Sequence, residues 1–207
     1  MSQAKKGRLV CFEGIDGSGK STTLHAVAKE FPEDSIVVTK QPGGTDLGKD
    51  IRQIVLHSEY ELAPNSELLL FASDAAQLHQ DVIVPAMDEG KLVLCDRGYM
   101  SNVIYQQYGR GNMNAEFVYN LVFGQRKPDL IFIFDVSLKE MYRRLGDSKD
   151  KIESAGKAFF KRIKRKFDSV ENYWHNIPII HLDGTLPTEY LVRQVLSGMT
   201  DMVTDSD

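Results

Sequence analysis

Cysteine is scarce in this sequence of 207 residues: there are two, and each lies inside an apolar run, Leu9-Val10-Cys11-Phe12 and Leu92-Val93-Leu94-Cys95. A free thiol in such a run behaves as a small hydrophobe, which speaks against a structural disulfide. No apolar run approaches the ~20 residues of a membrane span, and the lysines of the first seven residues are not followed by the apolar stretch of a secretory leader. Excess positive charge is also missing. A net charge of -4 and a pI near 5.8 provide no overall basic field for a nucleic-acid backbone. Internal repeats, low-complexity tracts and a Pro/Gly/Ser-rich linker are absent too. What remains is the expectation of a soluble, cytoplasmic protein of one domain, residues 1–207, with no nucleic-acid or membrane partner. Its 42% hydrophobic content is enough to bury a full core.

Five short apolar runs are present, at Arg8 to Phe12, Ile36 to Thr39, Lys91 to Cys95, Leu130 to Asp135 and Ile177 to Leu182. They are apolar on both faces rather than alternating, as strands of a parallel sheet covered on each side by helices must be. Helical spacing separates them. Leu24, Val27, Ala28 and Phe31 follow i, i+3, i+4, i+7 and stop at Pro32. Leu47, Ile51, Ile54 and Val55 repeat the pattern, and a longer periodic stretch from Asn65 to Met87 is opened by Pro64. Ser137-Leu138-Lys139-Glu140 has the form of a capping box. The alternation predicts an α/β, doubly wound, five-stranded parallel sheet with helices on both faces.

Gly14-Ile15-Asp16-Gly17-Ser18-Gly19-Lys20-Ser21 matches G-x-x-x-x-G-K-[ST] between a predicted strand and a predicted helix, the context this phosphate-binding motif requires. Successive backbone N–H groups and the positive end of the next helix converge there on phosphate oxygens. We therefore expect Gly14 to Ser21, with Thr22, to bind ATP. Lys20 should reach the β- and γ-phosphates and Ser21 should ligate Mg2+. Leu92 to Asp96 is a buried strand ending in a carboxylate, which places Asp96 as the second magnesium ligand, and Arg97 follows as a cation for a second anionic substrate. A switch GTPase is excluded because no N-K-x-D stretch occurs. An ABC-type ATPase is excluded because Leu196-Ser197-Gly198-Met199 lacks the following glycine and glutamine.

Several further blocks, in order, resemble the thymidylate kinase family. They are Phe12 to Gly17; Thr39-Lys40-Gln41-Pro42-Gly43-Gly44-Thr45; Leu70-Phe71-Ala72-Ser73-Asp74; Asp96-Arg97 with Ser101, Tyr105-Gln106 and Tyr108-Gly109-Arg110-Gly111; and Lys127 to Leu130 with Asp135-Val136. The resemblance implies a P-loop nucleoside monophosphate kinase that transfers the γ-phosphoryl of ATP to dTMP, and a homodimer. It implies a monophosphate site built from Asp16, which contacts the sugar, with Pro42, Arg97, Phe71 stacked on thymine and Tyr105 against the sugar 2′ carbon. The spacing of Phe71, Asp74, Ala75 and Leu78 puts them on one helix face, a face able to hold a base.

Departures from the family pattern are specific. Ala75 stands where an Arg normally bonds the base, Lys40-Gln41 replaces Arg-Glu, and Gly98 replaces a common aromatic. Base specificity that is altered or broader is therefore the alternative activity, with a non-catalytic nucleotide-binding regulator as the reading from another class. Some members of the family carry an Arg inside the P-loop and others supply the catalytic cation from the lid; this P-loop has none, so the resemblance implies a lid at about 144–157 as the source. Arg143, Arg144, Lys149 and Lys151 are its candidates, Arg143 and Lys151 foremost with Lys20 and Arg97 as the catalytic set. Lys161 to Lys166 reads mainly as the solvated face of a helix.

Overall fold

The structure is a computed structural model that describes residues 7–124, 126–146, 152, 155–170 and 177–204. Its five strands are β1 (Arg8–Glu13), β2 (Ile36–Lys40), β3 (Leu92–Asp96), β4 (Leu130–Asp135) and β5 (Ile179–Asp183). They pair in parallel throughout, in the order β2-β3-β1-β4-β5. Each lies within two residues of its apolar run, because burial on both faces is what made the runs continuous. Along β1 the pleat sends Leu9 and Cys11 to one face and Val10 and Phe12 to the other, each at most 1% exposed.

Two cores result. One face packs against α1 (Lys20–Ala28) and α9 (Thr188–Thr204), with Leu24, Val27, Phe132, Leu191 and Val195 buried between them. The other face carries α2 (Asp46–His57), α3 (Pro64–Leu78), α4 (Val84–Asp88), α5 (Tyr99–Val103), α6 (Ala115–Phe123), α7 (Leu138–Leu145) and α8 (Lys157–Phe167), and it holds the larger core. Cys11 and Cys95, register partners on β1 and β3, are buried and unoxidised. Among the described residues no helix is long and apolar enough to cross a membrane.

Three local expectations are refined. The first helix ends at Ala28 rather than running to Pro32, and Lys29, Glu30 and Phe31 turn in tighter i to i-3 bonds. A proline disfavours the α conformation in the residue before it, and the last turn tightens accordingly. The stretch from Asn65 to Met87 is interrupted by a wide π-type turn at His79–Ile83, just before Pro85. Pro85 cannot donate to the carbonyl four residues back and its ring crowds it, so the turn widens. The capping box is half formed. Ser137 Oγ accepts from Glu140 N at 3.1 Å, but the Glu140 carboxylate is taken by Arg143 and Arg144 instead of reaching back.

Candidate active site

The loop between β1 and α1 turns on glycines that no other residue replaces cheaply. Gly17 and Gly19 have φ of 67° and 94°, and a Cβ on Gly14, itself at φ 132°, would lie 2.6 Å from the Phe134 carbonyl oxygen. Ile15 points its side chain into the core, so it serves the loop through its backbone, where its carbonyl accepts from Lys20 Nζ at 3.3 Å. Burial pushes the Lys20 pKa down, and Arg97 adds to this against the pull of Asp16 and Asp96. Ser18 Oγ is buried with no partner. Thr22, in the first turn of α1, is exposed.

Ser21 donates to Asp96 Oδ2, while Asp96 Oδ1 is buried without a hydrogen-bond partner. A helix-start hydroxyl beside a carboxylate with a spare oxygen suits a hard cation such as Mg2+, which takes oxygen ligands and fills its shell with water and phosphate. Among the described residues no group of three or more acidic, His or Cys side chains forms a self-sufficient metal cage. The phosphates would complete the shell.

Arg97 is the centre of the site, and its backbone is left-handed at φ 66°, a conformation a non-glycine residue holds only when its surroundings impose it. Its N–H bonds to Phe12 O at 2.9 Å. Its guanidinium donates to Gly14 O at 2.9 Å, to Ser101 Oγ at 3.0 Å and to Asp16 Oδ1 at 2.5 Å, and lies over the Tyr105 ring at 5.0 Å. Tyr105 in turn donates to Asp16 Oδ2 at 3.0 Å. Burial would raise the Asp16 pKa, but Arg97, Lys20 and the Tyr105 bond outweigh it and hold it below the usual value. Arg97 is raised, Asp16 and its other anionic neighbours outweighing its burial.

Glu13, just past the first apolar run and assigned no role from sequence, positions this centre. It is fully buried, accepts from Gly98 N at 2.9 Å and Ser101 N at 3.1 Å, and takes the Ser101 hydroxyl on its other oxygen. Burial raises its pKa, against the Ser101 bonds and Arg97. Gly98 is explained by packing. A Cβ there would meet Cys11 Sγ at 2.8 Å, and the neighbouring Tyr99 is the aromatic that is buried, edge-on to Phe123.

Beside this centre opens a cleft whose walls include Asp16, Pro42, Phe71, Arg97 and Tyr105. The five residues expected to form one monophosphate site are thus brought together. The shared face of α3 is divided differently from its spacing: only Phe71 reaches the cleft, Ala75 and Leu78 are fully buried, and Asp74 accepts from Gly43 N at 2.8 Å. Residues not foreseen also line it, among them Gln41, Arg52, Asn102 and Gln106. Arg52 donates to Pro42 O at 3.0 Å, and Gln41 N to Asp96 O at 3.0 Å. With Asp74 these bonds hold the loop after β2, which includes a cis Gln41–Pro42 bond, against the site. The only sequence signal for Gln41 was its replacing an acidic residue of the family pattern.

The lid candidates separate. Arg143 is exposed and paired with Glu140 at 2.7 Å, whereas Arg144 Nη1 donates to Gly17 O and Gly184 O, each at 3.0 Å, tying α7 to the P-loop and to the loop after β5. Lys149 and Lys151, with half of the lid, lie outside the described residues. The basic run on α8 is not a purely solvated face. Arg162 donates to Tyr108 O at 3.1 Å and Gly109 O at 2.5 Å, and Lys166 is buried with its Nζ 4.2 Å from the Tyr108 ring centre. Neither contact is local in sequence, so neither could be read from charge alone.

A parallel sheet in this order, with a glycine loop feeding α1 and a carboxylate at the end of β3, defines a P-loop nucleotide-binding fold. The thymidylate kinase family model matches residues 12–195. A thymidylate kinase of Kosmotoga olearia is 42% identical over 197 residues, covering 90% of this chain and 92% of that protein. One of Cupriavidus taiwanensis is 39% identical over 170 residues, covering 78% and 83%. The crystal structure of thymidylate kinase from Ehrlichia chaffeensis superposes with a TM-score of 0.75 at 28% identity, over 93% of this chain and 98% of that one. The chain belongs to the thymidylate kinase family.

Proposed function

We propose how this chain carries out the family reaction, in which the γ-phosphoryl group of ATP passes to dTMP to give ADP and dTDP. As a member of the family it is a phosphotransferase that uses ATP and a nucleoside monophosphate. The observation that carries the mechanism is the Asp16–Arg97 contact, because Asp16 belongs to the phosphate loop and both residues line the cleft. Donor and acceptor sites therefore meet at one ion pair.

In this reading Gly14 to Ser21 and Thr22 hold the ATP phosphates and Lys20 neutralises charge on the transferring group. Ser21 and Asp96 would hold Mg2+, which would supply positive charge to offset that of the phosphates. Arg97 takes the acceptor phosphate, Asp16 and Tyr105 the sugar, and Pro42 and Phe71 the base. The reaction asks for positioning and electrostatic stabilisation, with water excluded by the lid at about 144–157. Arg143 and Lys151 are assigned as lid cations that enter on closure, and exposed Arg143 is free to exchange Glu140 for a phosphate.

We read residues 1–207 as one kinase domain working in the cytoplasm, with two free thiols consistent with a reducing compartment. We also assign it a homodimeric state. Met113, Phe117 and Leu121, spaced four apart at and along α6, are 76%, 75% and 78% exposed, an apolar stripe suited to a second copy. The deciding experiment is a coupled assay with ATP, Mg2+ and dTMP. Turnover that Lys20→Ala reduces about 1,000-fold supports the assignment; a Lys20→Ala enzyme within a few-fold of wild type overturns it.

A further inference from the structure

The basic run Lys161 to Lys166 has no part in the mechanism above, and α8 carries no acidic residue to offset it. On a purely solvated face its members would be interchangeable, but the structure separates them. Lys161 and Arg165 are exposed side chains, whereas Arg162 spends its guanidinium on two backbone carbonyls, Tyr108 O at 3.1 Å and Gly109 O at 2.5 Å. Arg162 is not among the described residues that line the cleft, so it does not meet a substrate there.

Those two carbonyls end the helical segment that carries Tyr105. Past Val103, α5 continues as a wide π-type segment, Ile104–Gly109, after which Arg110 N donates to Tyr105 O at 2.9 Å and Asn112 N to Gln106 O at 3.0 Å. A helix cannot satisfy its own final carbonyls, and a cation at that end also meets the negative pole of the helix dipole. Arg162 answers both needs, because its planar fork reaches two acceptors where an ammonium would act as a point charge. The seat is close: a Cβ on Gly109 would lie 2.6 Å from Phe159 Cε2 and 3.2 Å from Ile163 Cδ1, so only glycine lets the segment rest directly on α8.

Tyr105 is held from the same side. Phe159, one turn before Arg162 on α8, meets its ring edge-on with centroids 6.0 Å apart, while the Arg97 guanidinium lies 5.0 Å from the ring centre and the hydroxyl reaches Asp16. A segment that slid off α8 would carry Tyr105 away from Arg97 and Asp16. We propose that Arg162 is a positioning residue for the acceptor site, fixing Ile104–Gly109 on α8 and so placing Tyr105 against Arg97 and Asp16. This rests on reading the cleft as the acceptor site. Lys166, 4.2 Å from the Tyr108 ring centre, joins the same two elements and supports the seat that Arg162 makes.

The test measures kcat and the KM values for dTMP and ATP in Arg162→Ala, Arg162→Lys and Lys161→Ala, and repeats Arg162→Ala in a Tyr105→Ala background. Arg162→Ala should raise KM for dTMP about 5- to 10-fold and leave KM for ATP within about 2-fold of wild type. Arg162→Lys keeps the charge and can serve one carbonyl, so it should recover part of the loss, and it carries the test if the alanine variant fails to fold. Lys161→Ala, which removes a neighbouring charge, should match wild type. Because Arg162 acts through Tyr105, its removal should change KM for dTMP by less than about 2-fold once the Tyr105 ring is gone. Full additivity of the two variants, an equal rise in both KM values, or an unchanged KM for dTMP in Arg162→Ala overturns the proposal. A wild type inactive on dTMP overturns the reading of the cleft, and this inference with it.

Discussion

Arg97 Nη2 lies 2.5 Å from Asp16 Oδ1, so the two charges at the meeting point of the loop and the cleft neutralise each other before any substrate arrives. An incoming phosphate must share a guanidinium that already serves Asp16, Gly14 O and Ser101 Oγ. Arg97→Ala should therefore lower kcat/KM for dTMP at least 100-fold. Asp16→Asn, which keeps an acceptor but loses the charge, should cost about 10-fold, mostly in KM. Steady-state kinetics on both variants check this. Equal effects would show that the pair does not orient the acceptor phosphate.

Arg143 and Arg144 should behave differently although they are neighbours. Arg144 clamps Gly17 O and Gly184 O, so Arg144→Ala should loosen the loop and raise KM for ATP by about 10-fold. Arg143 makes no such contact and is assigned to the closed state, so Arg143→Ala should reduce kcat by about 10-fold with KM nearly unchanged. Identical kinetic signatures would remove the distinction.

Asp74 gives a pH signature in stability. Burial pushes its carboxyl up to about 6, against the Gly43 N–H bond and Arg52. With a folded value above the unfolded 3.8, its contribution is fully present below 3.8 and is lost as pH rises through about 6. Asp74→Asn still accepts from Gly43 N and cannot ionise, so its Tm should lack this fall and should gain on wild type as pH is raised from about 4 to 7. Parallel Tm curves for the two proteins over that range would refute the assignment.

The exposed stripe on α6 predicts assembly. Phe117→Glu puts a charge in the middle of an apolar contact, where burying it unpaired is prohibitive. Sedimentation should show wild type as a dimer and the variant as a monomer of unchanged helical content. A wild-type monomer would remove the stripe from consideration as an interface.

Contiguous patterns were enough for part of this. The glycines, Lys20 and Ser21 act through a loop whose conformation is set within eight residues, and strands buried on both faces must be apolar at every position, so the nucleotide loop and the sheet were both legible. The motif order also brought Phe71, Arg97 and Tyr105 forward. Which of these groups meet was decided by packing. Phe71 and Ala75 share a helix face, but packing buries Ala75 completely and leaves Phe71 at the cleft. Arg97 finds Asp16 across 81 residues, Glu13 finds Ser101 across 88, and Arg144 finds Gly17 across 127. Gln106 meets Glu67 across 39 residues and Gln41 meets Asn102 across 61. A hydrogen bond depends on direction and on what else competes for each atom, and those are properties of the folded chain rather than of any stretch of it.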